Sequence, residues 1–581
     1  MPEPQHIDYT YAHSETQATT GYFSCEPPAS LAEEDAFALL EKSPLDDFLH
    51  QHLLRLCSKK TPDELAALAA QAYDPVQDSF LRPALAGILL ECSLLLPSLG
   101  SVCASFPADA AARLAVSSPA IHLRAVQRAD WQTAADWNTL FAENICAHHP
   151  LPRLDEAEIP LLFPFEESLA LGEKLAAGPS LLPEIHAQVR AEGYPEQERR
   201  PAQETFLRAL DALMENGIIA GPEMRHEASL SPIALLRAWQ VDMTVQSGGL
   251  SHSLRGQATA YGRGLSLAQA RASYAMEIVE RASAYVSIAD EEVCQRKMPL
   301  PLLRARYAEL EAAGRTALDP ALLPVEAPCP DAPLHWLTAF APDGRSVLVP
   351  AQAVFLFCNL DEPGIFLAGG STGLASGNTL DEAKQAALTE IIERDAECTT
   401  PFSRTRCFTL ASRDARVQAL LDDYAARGIR VQFQDITTEF GLPVYQCFVT
   451  GQDGKVARAT GANVSGPRAA LAALTETPWP YVWAQPAPFG KASGPGLAGL
   501  PIRYLEDLPD YDLGSATANV RLLEQLLAAH GRQPLYVDLT RADLDLPVLR
   551  AIVPGLELNA EWDRFSRPSR RLFGRYALML S

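Results

Sequence analysis

The sequence predicts a mixed α/β (α+β) protein with a duplicated core, preceded by an all-helical N-terminal region. Three observations carry this. The stretch from Gly264 to Arg281 returns, altered, from Gly377 to Arg394, and both copies end in Glu-Ile-aliphatic-Glu-Arg. Beyond about residue 215, apolar runs of strand length alternate with helical patterns. Before it, residues 31 to about 145 read as short helices opened or closed by Pro and Ser.

In order, the helical patterns run from Leu31 to Lys42, Pro44 to Cys57 and Pro62 to Tyr73, followed by two apolar pieces around 82 to 105. Pro83 to Phe106 is the nearest approach to a membrane span, but Glu91 and Pro97 interrupt it, so it divides into two short buried helices. His149 to Glu167, rich in Pro and acidic residues, and the polar stretch Gly193 to Pro201 read as connectors. They place a boundary near 215, giving a helical region 1–215 and a core 216–581. Within the core, Ser346 to Leu356, Arg430 to Ile436, Val444 to Val449, Leu535 to Thr540 and Val548 to Val553 read as strands.

A chain of 581 residues exceeds what one hydrophobic core supports, so two or three folded regions are expected. With 48% hydrophobic and 21% charged residues, it should fold over most of its length. The net charge of −24 argues against a nucleic-acid or anionic-membrane binder and suits basic peptides. Eleven scattered cysteines without a CxxC pair fit reduced thiols in a cytoplasm, and Met1 to His6 shows no signal-peptide pattern. Cys146-Ala147-His148-His149 lacks a second ligand pair and reads as structural. Asp435 and Asp538, at strand ends, read as caps.

The chemistry lies in the repeat. At ~100° per residue, positions 273, 277, 280 and 281 share one helical sector, as do 382, 386, 390 and 393. Unpaired buried carboxylates cost several kcal/mol, so paired Glu in apolar surroundings, twice over, implies cations. Glu277, Glu280, Glu390 and Glu393 are therefore candidate Mg²⁺ ligands, with Arg281 and Arg394 beside them to pair a neighbouring Glu or contact phosphate. Each helix follows a Gly-rich entry, Tyr261 to Gly264 and Ser371 to Thr379, whose free N–H groups favour an anion. The pattern GxxxxGK[ST] is missing, so a nucleotide here is held in a non-Walker way. A solvated, self-paired helix face is the competing explanation for one copy; two copies in register behind Gly-rich entries tell against it.

These residues resemble the YcaO family. The resemblance is carried by Gly262-Arg263-Gly264, Ser273-x3-Glu277-x2-Glu280-Arg281, Ser371-Thr372-Gly373-Leu374-Ala375-x-Gly377, Glu390-x2-Glu393-Arg394-Asp395 and the run Val537 to Glu557, and it covers about 220 to 560. It implies a YcaO-type fold that binds ATP and Mg²⁺ and phosphorylates a backbone amide oxygen of a peptide or protein, after which a nucleophile displaces phosphate. Depending on the member, the product in such proteins is an azoline, a thioamide or an amidine, or is undefined. The ATP and Mg²⁺ site implied is Ser273, Glu277, Glu280, Arg281, Glu390, Glu393 and Arg394, with Arg263, Glu382, Gln385 and Glu476 as further nucleotide contacts.

The sequence departs from the family pattern in places. Ala386 stands where some members have Gln, with Gln385 one residue earlier, and Ala472 replaces the Arg of the family's Arg-x3-Glu while Glu476 is kept. Arg468, one turn before 472, is the candidate replacement. The end of the sequence lacks the PxPxP of azoline-forming members, and the first 215 residues lack a ThiF/E1-like Gly-rich fold, which shifts expectation modestly from ring formation towards thioamidation or an uncharacterised modification. A TfuA-like or ThiF/E1-like partner is implied, and a homodimer stays open. The departures leave a second reading open, a non-catalytic scaffold with a degenerate nucleotide site.

Overall fold

The computed structural model describes residues 5–14, 22–154, 156–357, 359–366, 370–450, 455–479, 499–558 and 562–581, so Cys358 lies outside the described residues. Its largest sheet is built on a long hairpin, Ile233–Ser247 and Leu250–Gly264. Period-two alternation explains it: Trp239, Val241, Met243 and Val245 are buried, while Gln240 and Asp242 between them and Gln246 after them are exposed.

The expectation of an all-helical N-terminal region fails for its first residues. His6–Ser14 is a strand lying parallel to Leu250–Gly264, with Tyr11 opposite Gly256, and it pairs antiparallel with Tyr22–Glu26. Tyr9 and Tyr11 alternate into the core at 2% and 4% exposure, and Gly256 lets the strand close in, because a Cβ there would meet the Tyr11 carbonyl oxygen at 2.6 Å. The helices follow as expected: Glu33–Lys42, Asp47–Cys57, Pro62–Ala72 with a Thr61/Glu64 capping box, Pro83–Leu95 and Trp131–Ala147, with one short strand pair, Tyr73–Asp74 and Ser79–Phe80, among them.

Pro83–Leu95 stops before Pro97, and the second helix expected in this stretch is only a 3₁₀ turn over Pro97–Leu99 followed by turns to Phe106; among the described residues no helix is long and apolar enough to cross a membrane. Its Glu91 is fully buried because it bridges two histidines, His50 Nε2 at 2.6 Å and His122 Nδ1 at 2.5 Å.

Two further sheets complete the core. One runs in the order Leu303–Ala305, Leu334–Phe340, Leu535–Asp538, Val548–Ile552, Leu374–Ser376, with Ser346–Pro350 also paired to Leu334–Phe340. The expected strand from Ser346 to Leu356 ends at Pro350, which has no N–H to extend the ladder, and becomes a 3₁₀ turn over Ala351–Ala353. The other sheet runs Val456–Ala462, Val444–Thr450, Gln432–Asp435, Cys407–Ala411, Ile502–Tyr504. The helix Arg570–Leu580 crosses Phe165–Ala177 so closely that a Cβ on Gly172 would meet the Gly574 carbonyl oxygen at 2.2 Å.

Candidate nucleotide and metal site

Three strand–turn–helix units build the site. Leu267–Ala284 follows the strand Leu250–Gly264, Leu380–Thr399 follows Leu374–Ser376, and Gly466–Glu476 follows Val456–Ala462. Ser266, Thr379 and Ser465 stand at the three N-cap positions, and the first two accept from Gln269 N and Glu382 N. A Cβ on Gly264 or Gly377 would come within 2.7 or 2.8 Å of the Cβ of Gln269 or Glu382, so each turn needs glycine to fold onto its helix. The third unit was legible in the sequence but hidden by its divergence: Gly262-x7-Ala270-x6-Glu277 recurs as Gly461-x7-Ala469-x6-Glu476. A Cβ on Gly262 or Gly461 would strike the carbonyl oxygen of Ala270 at 1.9 Å or of Ala469 at 2.3 Å.

The four repeated carboxylates are each anchored by a backbone N–H from a neighbouring strand or turn. Glu277 accepts from Tyr261 at 2.9 Å, Glu390 from Gly373 at 3.2 Å and Glu393 from Ala462 at 2.7 Å, while Glu280 accepts from Ser376. Arg281 lies 3.7 Å from Glu277 and 3.4 Å from Glu280; Arg394 lies 3.2 Å from Glu393 and 2.8 Å from Glu397. Glu280 is pushed up to about 8, chiefly by burial, against the pull of Arg281 and with help from the charges of Glu390 and Glu277. Burial also raises Glu390, and it drives Glu393 well above the carboxylate range with Glu476, Glu397 and Glu390 adding to it against Arg394.

Glu476 is raised by the protein around it and by Glu390 and Glu397, with Arg263 and Arg394 opposing. Glu476 is nonetheless exposed, as are Ser273 and Ala386, so the cluster reaches the protein surface. Ser273, Ala386 and Ala472 occupy the same place in the three helices, one turn before Glu277, Glu390 and Glu476.

The charges do not balance. Glu277, Glu280, Glu390, Glu393, Glu397 and Glu476 face Arg263, Arg281, Arg394 and Arg550, leaving an excess of carboxylate. At the same time Arg263 Nε and Arg550 Nη1 are buried without a hydrogen-bond partner, and Arg281 Nη1 has only the 3.4 Å ion pair with Glu280. Surplus carboxylates ask for cations and unfilled guanidinium donors ask for oxyanions, a combination that fits Mg²⁺ with a polyphosphate. Among the described residues, no three His, Cys, Asp or Glu side chains gather around one point. An ion here would take one or two carboxylates and complete its shell with phosphate oxygens and water, the usual habit of Mg²⁺.

Other sequence-derived candidates sit at the edge of this cluster or outside it. Glu382 accepts from Asn378 N at 2.7 Å and shapes the helix entry. Gln385 is buried with its carbonyl accepting from Asn519 Nδ2 at 3.3 Å, on the helix Ala516–Ala529, rather than with the carboxylates. Arg468 donates to Asp512 at 2.7 Å and does not replace the missing arginine of position 472. Asp538 accepts from Thr540 N at 2.8 Å and Asp435 from Thr437 N at 3.1 Å, both as caps. His148 stacks on Phe402 with centroids 3.8 Å apart, and Cys146 Sγ accepts from Arg458 Nη2 at 3.0 Å.

Two members of the cluster were not assigned to the site from the sequence, although Arg550 falls in the family-like run Val537 to Glu557. Glu397 lies one turn beyond Glu393, which periodicity alone would have shown. Arg550 comes from a distant strand and is held by the carbonyl oxygens of Ala353 at 3.0 Å and Gly370 at 2.8 Å.

Carboxylates and arginines converging from three strand–turn–helix units make this a nucleotide- and metal-binding protein of a non-Walker type. Residues 261–478 and 480–557 match the sequence model of the YcaO cyclodehydratase family, described as ATP- and Mg²⁺-binding, and the chain belongs to the YcaO family.

An uncharacterized protein of Methanothermobacter thermautotrophicus is 28% identical over 51% of this chain and 81% of its own length. A second relative, an uncharacterized protein in the tfuA 3′ region of Rhizobium leguminosarum bv. trifolii, is 29% identical over 37% of this chain and 53% of its own. Among solved structures, a heterocyclase in complex with substrate and cofactor is similar with a TM-score of 0.47 at 18% identity, over 64% of this chain and 55% of that one. YcaO from Methanopyrus kandleri, bound with AMPPCP and Mg²⁺, is similar with a TM-score of 0.44 at 20% identity, over 63% and 94%. This chain thus spans about half the length of the second relative and of the heterocyclase.

Proposed function

We propose that this protein uses ATP and Mg²⁺ to phosphorylate a backbone amide oxygen of a peptide or protein in the cytoplasm, leading to a thioamide or azoline-type modification. The observation that carries the reading is the surplus of raised carboxylates beside two buried guanidinium nitrogens, Arg263 Nε and Arg550 Nη1, that have no hydrogen-bond partner. An amide oxygen is a poor leaving group. Moving the terminal phosphoryl group of ATP onto it, with release of ADP, lets a nucleophile at the amide carbon expel phosphate. Bound Mg²⁺ supplies charge neutralisation for that transfer.

The chain's own residues bind and orient. Glu277, Glu280, Glu390 and Glu393 hold the cations, their aim fixed by the backbone N–H groups that anchor them. Arg263, Arg281 and Arg394 offer donors to phosphate, and Ser273 and Glu476 stand at the water-facing edge where a nucleotide would enter. A relative in the tfuA 3′ region supports a TfuA-like partner and hence a thioamide; a ThiF/E1-like partner would instead favour a ring, and a homodimer fits either.

Peptide-dependent release of ADP and phosphate tests the reading, and no ATP binding at all sinks it. Glu280→Gln or Glu393→Gln should abolish turnover while leaving the far-ultraviolet circular dichroism unchanged. The second reading, a non-catalytic scaffold, is favoured by Ala472 and by the commitment of Arg468 to Asp512. Tight ATP binding without hydrolysis, across peptide substrates, would select it.

A further inference from the structure

The aim of Glu390, Glu393 and Arg394 depends on how the helix Leu380–Thr399 is seated, and part of that seat lies beyond the family-matched residues. Asp395, the residue after Arg394, is 0% exposed. Its carboxylate accepts from Arg571 Nη1 at 2.8 Å, from Arg571 Nη2, and from Glu557 N at 2.8 Å. Arg571 Nη1 also donates to Glu439 Oε1 at 3.0 Å. One turn further along, Arg575 Nη1 donates to the Thr399 carbonyl oxygen at 2.8 Å, and its Nη2 donates to Glu439. The helix Arg570–Leu580 therefore grips the site helix at two successive turns, through Asp395 and Thr399.

Buried ion pairs are poor sources of net stability, because desolvation consumes most of the attraction; their well-attested use is to fix register. A planar guanidinium forked onto one carboxylate fixes both distance and rotation, which a point charge does not. We infer that Arg571 is a positioning residue: through Asp395 it sets the rotation of Leu380–Thr399 and so the convergence of Glu390, Glu393 and Arg394 on the bound cation and phosphates. The inference rests on the proposed ATP and Mg²⁺ site. Outer partners that orient metal ligands typically change metal affinity by about 10- to 100-fold when removed.

Arg571→Lys, which keeps the charge and loses the fork, and Asp395→Asn test it, with Met579→Ala on the exposed side of the same helix as control. Two quantities are read: the Mg²⁺ concentration for half-maximal binding of a non-hydrolysable ATP analogue by calorimetry, and hydrogen exchange of residues 390–399 in the metal-free protein. Arg571→Lys and Asp395→Asn should each raise the Mg²⁺ requirement about tenfold or more and speed exchange over 390–399, while Met579→Ala changes neither. A purely structural role would lower the melting temperature and the fraction of protein that binds, at an unchanged Mg²⁺ requirement, and that result overturns the inference. Wild type that binds no analogue with Mg²⁺ would instead sink the proposed function.

Discussion

Glu280 is the residue on which the electrostatics of the cluster are easiest to test. Its carboxyl, ordinarily near 4.5, is held up to about 8 by burial and by the charges of Glu390 and Glu277. Between those values the folded protein keeps a proton that the unfolded chain releases, so this group's contribution to stability is present below 4.5 and is lost as pH rises towards 8. Glu390, Glu393 and Glu476 are displaced in the same direction and add to the trend. Glu280→Gln should therefore flatten the fall in melting temperature of the metal-free protein between pH 5 and 8, measured by calorimetry. A wild-type curve that rises through that window would contradict the charge surplus. The same proton has to leave when a cation binds, so Mg²⁺ binding near neutral pH should release protons, seen as a dependence of the binding enthalpy on buffer.

At the scale of the element, the turn glycines decide how closely strand and helix approach. Gly461→Ala would place its Cβ 2.3 Å from the Ala469 carbonyl oxygen and 2.6 Å from Ala473 N, both backbone atoms that cannot swing aside. The cost should be about 1–3 kcal/mol, read from denaturant melts, together with weaker nucleotide binding as Glu476 is displaced.

Elements also explain what could be read in advance. The first two site helices were legible because Glu-Ile-aliphatic-Glu-Arg survives in both copies, and helical period alone places their carboxylates together. The third was found only through the family resemblance and not as a repeat, because it keeps only small residues and one Glu at the shared spacing. Gln385 and Arg468 were assigned by their place along a helix, yet their partners, Asn519 and Asp512, come from distant segments that periodicity cannot see. Arg550 was missed for the same reason, its neighbours being chosen by sheet pairing. His6–Ser14 escaped because the pairing that seats it in the large sheet is with Leu250–Gly264, more than two hundred residues away.

Across the whole molecule, long-range pairings weld the first residues of the chain to the site. His6–Ser14 covers the strand Leu250–Gly264, whose end carries Gly262, Arg263 and Gly264, and Phe165–Ala177 backs Arg570–Leu580, whose Arg571 pairs with Asp395. In the helical region, Glu91 is pulled down to about 2 by His50 and His122 despite full burial, and His50 is raised above its ordinary 6.5. The carboxylate's share of stability is present above 4.5 and lost as pH falls towards 2; the histidine's is complete below 6.5 and fades as pH rises through its elevated value. His50→Gln should accordingly lower the melting temperature most at pH 5 to 6 and least in alkaline buffer. A chain cut to residues 216–581 loses both the strand and the backing helix. Burial of Tyr9 and Tyr11 alone is worth roughly 3 kcal/mol or more, and the bared edge of Leu250–Gly264 invites pairing between molecules. The truncated chain should melt well below the full chain, sediment as larger species and bind ATP more weakly. An equally stable, monomeric fragment with unchanged ATP affinity would show instead that the first 215 residues are an independent attachment.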